Sequence, residues 1–182
     1  MNEKILVLAY PGLGKTFTAD HYANISDFEQ QFYTYIYDDA VKNLPLEQIK
    51  SDMSKKTPNP DWPNNFIKGI GEELEKGKIV ITTLIPKVYK ALCVDTQYEN
   101  TRIILVVFDK DNFEELADRF RARGNAEEFI ERRRKDFPVV LEQFENAKNV
   151  EKVIAKSGEY LADALISHGI KLIPGKGSKN YL

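Results

Sequence analysis

The chain has 182 residues, of which 30% are charged and 42% hydrophobic, and a formal net charge of −2. That balance suits one soluble globular domain, excludes a disordered polypeptide and argues against a large permanent footprint on nucleic acid. A single cysteine, Cys93, excludes a disulfide framework and fits a reducing compartment, and no apolar run approaches the length of a membrane span. With the first strand beginning after four residues, no secretory leader is expected, and the expected location is the cytoplasm.

In chain order, Ile5 to Ala9 (ILVLA) predicts a buried strand from its length and β-branched content. A tight turn over Tyr10 to Gly14 follows, then a helix over KTFTADHYANI from Lys15. Phe32 to Asp39 (FYTYIYDD), aromatic and β-branched, predicts a second strand closing on two carboxylates. KTPNPDWPNN, with three prolines, predicts a loop that opens onto a helix whose Phe66, Ile67, Ile70 and Leu74 share one face. KIVITTL predicts a third strand, with Pro86 in the first turn of the next helix. TRIILVVFD is the clearest buried strand of the chain. From Asp111 to about Glu145 the pattern is helical, with breaks expected at Gly124 and near Pro138. VEKVIA predicts a fifth strand and GEYLADALISHG its helix, and the tail over 170–182 reads as irregular. Strands alternating with helices require crossover connections. The expectation is a single α/β domain over 1–182, with about five parallel strands and helices on both faces.

The segment Ala9-Tyr10-Pro11-Gly12-Leu13-Gly14-Lys15-Thr16 fits the phosphate-loop pattern G-x-x-x-x-G-K-[ST], with alanine for the first glycine. Strand, spacing and helix all agree with it. Backbone N–H groups from Pro11 to Phe17 (Gly12, Leu13, Gly14, Lys15 and Thr16 between them) would form a concavity for the phosphates of ATP, less the proline's missing donor. Lys15 would reach the β- and γ-phosphates, and the Thr16 hydroxyl would bind Mg²⁺.

Ligands of open α/β sheets bind outside the carboxyl ends of the strands. Asp38 and Asp39, at the end of the predicted second strand, are therefore candidates to orient or deprotonate an acceptor hydroxyl, Asp38 being the nearer to the strand. Helix capping is the competing role for either. Between Arg119 and Lys135 lie seven basic and three acidic residues. Arg119 and Arg123 share a helix face, and Arg132 to Arg134 follow the Gly124 break. A lid over about 111–137, with Arg119, Arg123 and Arg132 closing on a transferring phosphoryl group, is set against a solvated face of Glu/Arg pairs. His21 reads as packing, His168 as a charge partner at a helix end, and Cys93 as a small buried hydrophobe.

An N-terminal phosphate loop, acids closing strand two and an arginine-rich helical lid together resemble the nucleoside monophosphate kinase-like P-loop phosphotransferases. More narrowly, NPDWPNNF (Asn59 to Phe66) is similar to the N-P-x-x-P-x-N-[YF] segment of bacteriophage-type P-loop kinases, a group near the hydroxymethyluracil DNA kinases of phage base modification. The resemblance spans roughly Ile5 to Glu145 and implies a three-layer P-loop kinase fold with ATP and Mg²⁺ as cofactors. It also implies a nucleotide-type acceptor, either a nucleoside monophosphate or a hydroxymethylated base in DNA, met by Asn64 and Asn65. The chain departs from that group in having Asp38-Asp39-Ala40 after strand two and Thr82-Thr83-Leu84 after strand three, with no acid of the Walker B kind at that strand end. An NTPase switch that turns over ATP without a small acceptor is the alternative from another class. No stable protein partner or membrane is expected, and the oligomeric state is open.

Overall fold

A computed structural model of the chain describes residues 3–39, 56–92 and 98–175. Five parallel strands, β1 (Lys4–Ala9), β2 (Ile25–Asp27), β5 (Ile79–Thr83), β6 (Thr101–Phe108) and β7 (Glu151–Ala155), form one sheet in the order β2-β5-β1-β6-β7. β1 is central, paired in register with β5 (Leu6 opposite Val80) and with β6 (Leu6 opposite Ile103). A second, two-stranded antiparallel ribbon joins β3 (Tyr35–Tyr37) to β4 (Lys56–Pro58). The helices are α1 (Lys15–His21), the single turn α2 (Gln31–Thr34), α3 (Asn64–Leu74), α4 (Pro86–Leu92), α5 (Phe113–Ala122), α6 (Glu127–Asn146) and α7 (Leu161–Ser167).

The continuous apolar runs make sense because the sheet is covered on both faces. In β1, Ile5, Val7 and Ala9 enter one core with Phe120, Phe137 and Leu161, while Leu6 and Leu8 enter the other with Phe66, Ile70 and Val88. β6 alternates in the same way, with Ile104, Val106 and Phe108 on the first side and Ile103, Leu105 and Val107 on the second.

Several sequence expectations change, and Lys56–Pro58, expected as the start of a loop, is the ribbon strand β4. The stretch Phe32 to Asp39 is not a strand of the main sheet. Its first residues make one helical turn and Tyr35–Tyr37 the ribbon, while the place beside β5 is taken by Ile25–Asp27. Accordingly α1 ends at His21, short of the helix expected to run through Ile25. Pro138 does not break the second helical segment: α6 runs through it for 20 residues. Ile130, Phe137 and Phe144, seven residues apart, are buried along one stripe, and that burial on both sides offsets the hydrogen bond a proline removes. The break expected at Gly124 is present, between α5 and α6.

At the amino-terminal end of the sheet, Arg102 on β6 makes two hydrogen bonds to Glu151 on β7, and His168 Nε2 lies 2.6 Å from Glu151 Oε2. The guanidinium first, and then His168, hold the Glu151 carboxyl down at about 2 from 4.5, against the opposing effect of partial burial. A depressed carboxyl stabilises the fold above its unfolded pKa and loses that contribution as the pH falls towards the folded one. Solvent screening keeps the contribution to about 1 kcal/mol. Glu151→Gln should therefore lower the unfolding free energy at neutral pH by that amount and flatten its decline between about pH 4.5 and pH 2, measured by urea titration across pH.

Candidate functional site

The chain leaves β1 under tight backbone control. Ala9 O accepts from Leu84 N at 2.9 Å, and Tyr10 N donates to Val106 O at 2.8 Å, so the loop starts from a point fixed by both neighbouring strands. Ala9 is fully buried, so the smallest side chain with a Cβ is accommodated where the pattern asks for glycine. Gly12 and Gly14 have φ of +90° and +88°, a region that side chains rarely adopt. The loop closes on α1 through Thr18, whose N–H and hydroxyl both donate to Gly14 O at 2.9 Å. It is tied to α7 by Leu161 N donating to Leu13 O at 2.7 Å. Lys15 is half-buried at the head of α1, and Thr16 is exposed beside it.

The Thr16 hydroxyl donates to Asp27 Oδ2 at 2.9 Å. Asp27 ends β2, so the strand-end carboxylate expected of the sheet is Asp27. Asp38 and Asp39 are exposed and follow the ribbon strand β3 instead. Magnesium is held by one or two protein oxygens together with substrate phosphates. A threonine hydroxyl and an aspartate carboxylate beside a phosphate loop are hard oxygen donors of that kind, so Thr16 and Asp27 fit the ion. Asp109, the acid that ends β6, is engaged elsewhere: it accepts from Asp111 N at 3.2 Å and Asn112 Nδ2 at 2.9 Å.

On the α5 side of the loop lies a cleft of about 650 Å³, lined by Gly12, Gly14, Phe17, Arg119, Arg123 and Tyr160 among others. Arg119 has a side chain only 9% exposed. It donates to Glu115 Oε1 at 2.5 Å and to Glu159 O at 2.7 Å, and stacks 4.1 Å from the Tyr160 ring centroid. Its Nη1 is buried without a hydrogen-bond partner. Glu115 also accepts from Ser157 Oγ at 2.6 Å and from Gly158 N at 3.0 Å, and the Ser157 bond leads the effects that hold its carboxyl below the ordinary range. Phe17 is 51% exposed at the rim, stacked on His21 with ring centroids 3.8 Å apart.

A second cleft, of about 420 Å³, opens on the other side of Tyr10 and Pro11. Gln30, Thr83 to Pro86 and, from α6, Arg133, Asp136, Val139 and Val140 complete its walls. Arg133 Nε is buried and unpartnered. The Tyr10 hydroxyl, 3.4 Å from Arg133 O, is pushed up to about 12, chiefly by burial.

The expected arginines thus separate. Arg119 and Arg123 line the first cleft, whereas Arg132 is exposed on α6, 5.6 Å from the Phe129 ring centroid, and lines neither. Arg121 pairs with Asp118 and Glu127, and Arg134 with Glu114 and Glu131, as in a solvated face. The expected lid over 111–137 is likewise divided, because Phe113, Leu116, Ala117 and Phe120 of α5 are core and the exposed part is the corner around Gly124. Asn65 uses its side chain internally, donating to Tyr33 O at 2.8 Å and accepting from Phe66 N at 2.8 Å, and Asn64 is exposed. Cys93 lies outside the described residues. Sequence reading missed Asp27, in a three-residue strand too short to show a period. It also passed over Arg133, one of three consecutive arginines that only the helical phase distinguishes.

No protein-family model matches the chain, and no curated protein matches its sequence. Among solved structures it is similar to the tunicamycin resistance protein of Deinococcus radiodurans, with a TM-score of 0.51 and 12% identity over 95% of this chain and 100% of that one. It is also similar to a gluconokinase from Sinorhizobium meliloti 1021, with a TM-score of 0.47 and 20% identity over 91% and 88%. The likeness is one of fold. With a phosphate loop after the central strand of a five-stranded parallel sheet, the chain has the three-layer α/β fold of the P-loop kinase type.

Gly14 and Gly124 separate two effects of glycine. A Cβ on Gly14 would meet the Tyr160 ring at 3.1 Å in addition to the backbone strain, whereas one on Gly124 (φ +79°) meets nothing within 4 Å. Gly124→Ala should cost about 1 kcal/mol and Gly14→Ala about 2 kcal/mol in denaturant unfolding, with only the second distorting the loop expected to hold phosphates.

Proposed function

We propose that the protein is an ATP-dependent phosphotransferase that uses the two clefts flanking its phosphate loop for donor and acceptor. The observation that carries this reading is the placement of Thr16 and Asp27, 2.9 Å apart, beside a loop with an open cleft on each side. Phosphoryl transfer asks a protein mainly for positioning and charge stabilisation, and these parts are sufficient for it.

In this reading the nucleoside of ATP occupies the cleft with Phe17, Arg119, Arg123 and Tyr160, and its phosphates lie along Gly12 to Thr16 with Lys15 on the β- and γ-groups. Magnesium, held by Thr16 and Asp27, would neutralise charge on those phosphates. The acceptor enters against Tyr10, Thr83 and α6. Its hydroxyl oxygen bonds to the γ-phosphorus while the bond from that phosphorus to the β,γ-bridging oxygen breaks. That electron pair leaves with ADP, and the hydroxyl proton passes to water in the open acceptor cleft. The corner around Gly124 is the part free to fold over the donor, bringing Arg123 with it.

A nucleotide-type acceptor, whether a nucleoside monophosphate or a hydroxymethylated base in DNA, is supported by the resemblance of Asn59 to Phe66. Against it, much of that segment is engaged in local structure: Asn65 bridges Tyr33 and Phe66, and Trp62 packs on Phe66 with centroids 5.2 Å apart.

Lys15→Ala should lower kcat/KM by about a thousandfold, some 4 kcal/mol of transition-state stabilisation, with little change in the unfolding midpoint. γ-Labelled ATP and an acceptor panel measure it, and activity within tenfold of the parent sinks the phosphate-loop assignment. Label released only to water would favour the NTPase switch. Asp27→Asn should reduce turnover by at least about a hundredfold and weaken the dependence on magnesium, while Asp38→Asn stays within about threefold. A larger loss in the Asp38 variant returns the acceptor site to the ribbon end.

A further inference from the structure

Resting on the phosphotransferase reading, we infer that the acceptor is a compact, non-aromatic, hydroxyl-bearing molecule with one anionic group, bound between Arg133 and Asp136.

Arg133 and Asp136 are three residues apart on α6, so their side chains lie on neighbouring positions of one face, and both line the 420 Å³ cleft. Among the described residues no ion pair joins them to each other or to a third side chain, and the Arg133 guanidinium lies 5.1 Å from the Phe129 ring centroid. The Nε of Arg133 is buried with no hydrogen-bond partner, and such a donor costs stability unless a ligand satisfies it. A guanidinium edge takes a planar or tetrahedral oxyanion through two parallel bonds, whereas an ionised Asp136 only accepts and calls for hydroxyl donors. Gln30 and Thr83 add further polar groups, and Pro11, Ile85, Pro86, Val139 and Val140 supply aliphatic walls. The combination asks for an anion at one end and hydroxyls along the body.

The distribution of rings favours a non-aromatic acceptor on this side. Bases are held by stacking on exposed aromatic faces. Among the described residues, the acceptor cleft offers only Tyr10, which is 1% exposed and packed on Phe137 with centroids 5.0 Å apart. The other cleft has the rings of Phe17 and Tyr160, 51% and 45% exposed. The flat, aromatic partner therefore belongs there, and the aliphatic one beside α6. A single unneutralised arginine in the cleft also matches one anionic group better than a polymer backbone, which needs a stripe of cations.

The test uses the full chain with Mg·ATP and γ-label, and acceptors in five arms. These are hydroxylated carboxylates of about three to six carbons, phosphate monoesters of the same carbon skeletons, neutral polyols of the same length, nucleoside monophosphates, and DNA with hydroxymethylated bases. Transfer is expected to one or both anionic aliphatic arms, and their ratio tells carboxylate from phosphate, with neutral polyols at least about 30-fold poorer in kcat/KM. Arg133→Gln should raise the acceptor KM about 30-fold or more with a small change in kcat and unchanged KM for ATP, and Arg133→Lys should recover part of the loss. Asp136→Asn should raise the same KM. Unfolding midpoints show whether each variant is folded, and calorimetry with a non-hydrolysable ATP analogue reads acceptor binding apart from turnover. Transfer confined to nucleoside monophosphates or DNA, or an acceptor KM indifferent to Arg133, overturns the inference while leaving the phosphotransferase intact. A folded parent that binds no ATP and labels no acceptor overturns both.

Discussion

The site depends on the position of β1 between two parallel neighbours. Parallel pairing on both sides leaves the end of the strand no lateral freedom, and the last hydrogen bonds, from Leu84 N to Ala9 O and from Tyr10 N to Val106 O, fix where the chain departs. A phosphate loop works by presenting backbone amides at preset positions, so any play at its root would be passed on to every donor. The buried alternation of Ile5 to Ala9 into two cores thus fixes the root of the loop as well as the fold.

How far the chain can be read without coordinates follows from where its signals are local. β1, β5 and β6 were legible because strands buried on both faces are continuous apolar runs, and the tight turn from β1 into α1 because its glycines are close together. β2 was not, since Ile25-Ser26-Asp27 contains one apolar residue and owes its place to pairing with Ile79 to Ile81. Phe32 to Asp39 attracted the assignment because β-propensity measures fit to a half-buried pleated surface, and a two-stranded ribbon provides one as well as a sheet does. That single exchange moved the strand-end carboxylate from Asp38 to Asp27. Helical breaks were judged correctly where glycine had nothing to hold it, at Gly124, and incorrectly at Pro138, where buried aromatics on either side hold the helix together.

The arginines show a different limit. Composition marks the cluster from Arg119 to Lys135 but cannot tell which members work, because that depends on helical phase and on partners distant in sequence. Arg119 is engaged by Glu159 and Tyr160, some forty residues on, and Arg133 is distinguished from the exposed Arg132 by its buried Nε and by lining a cleft with Tyr10 and Pro11. The network through Glu115, Ser157 and Gly158 ties α5 to the loop before α7, so the floor of the cleft beside Arg119 is held in place by the protein's own hydrogen bonds.

Helix α6 joins both layers. Ile130 and Phe137 belong to one core and Phe144 to the other, so the helix is anchored at three heptad-spaced points on opposite sides of the sheet. Arg133 and Asp136 lie on an adjacent stripe outside that triad, while Val140 beside them packs against both cores. For evolution, the division separates the cost of change from its benefit. Under the proposed reading, Arg133 and Asp136 can be exchanged while the three anchors keep the helix in place, so a change of acceptor need not pass through an unfolded intermediate.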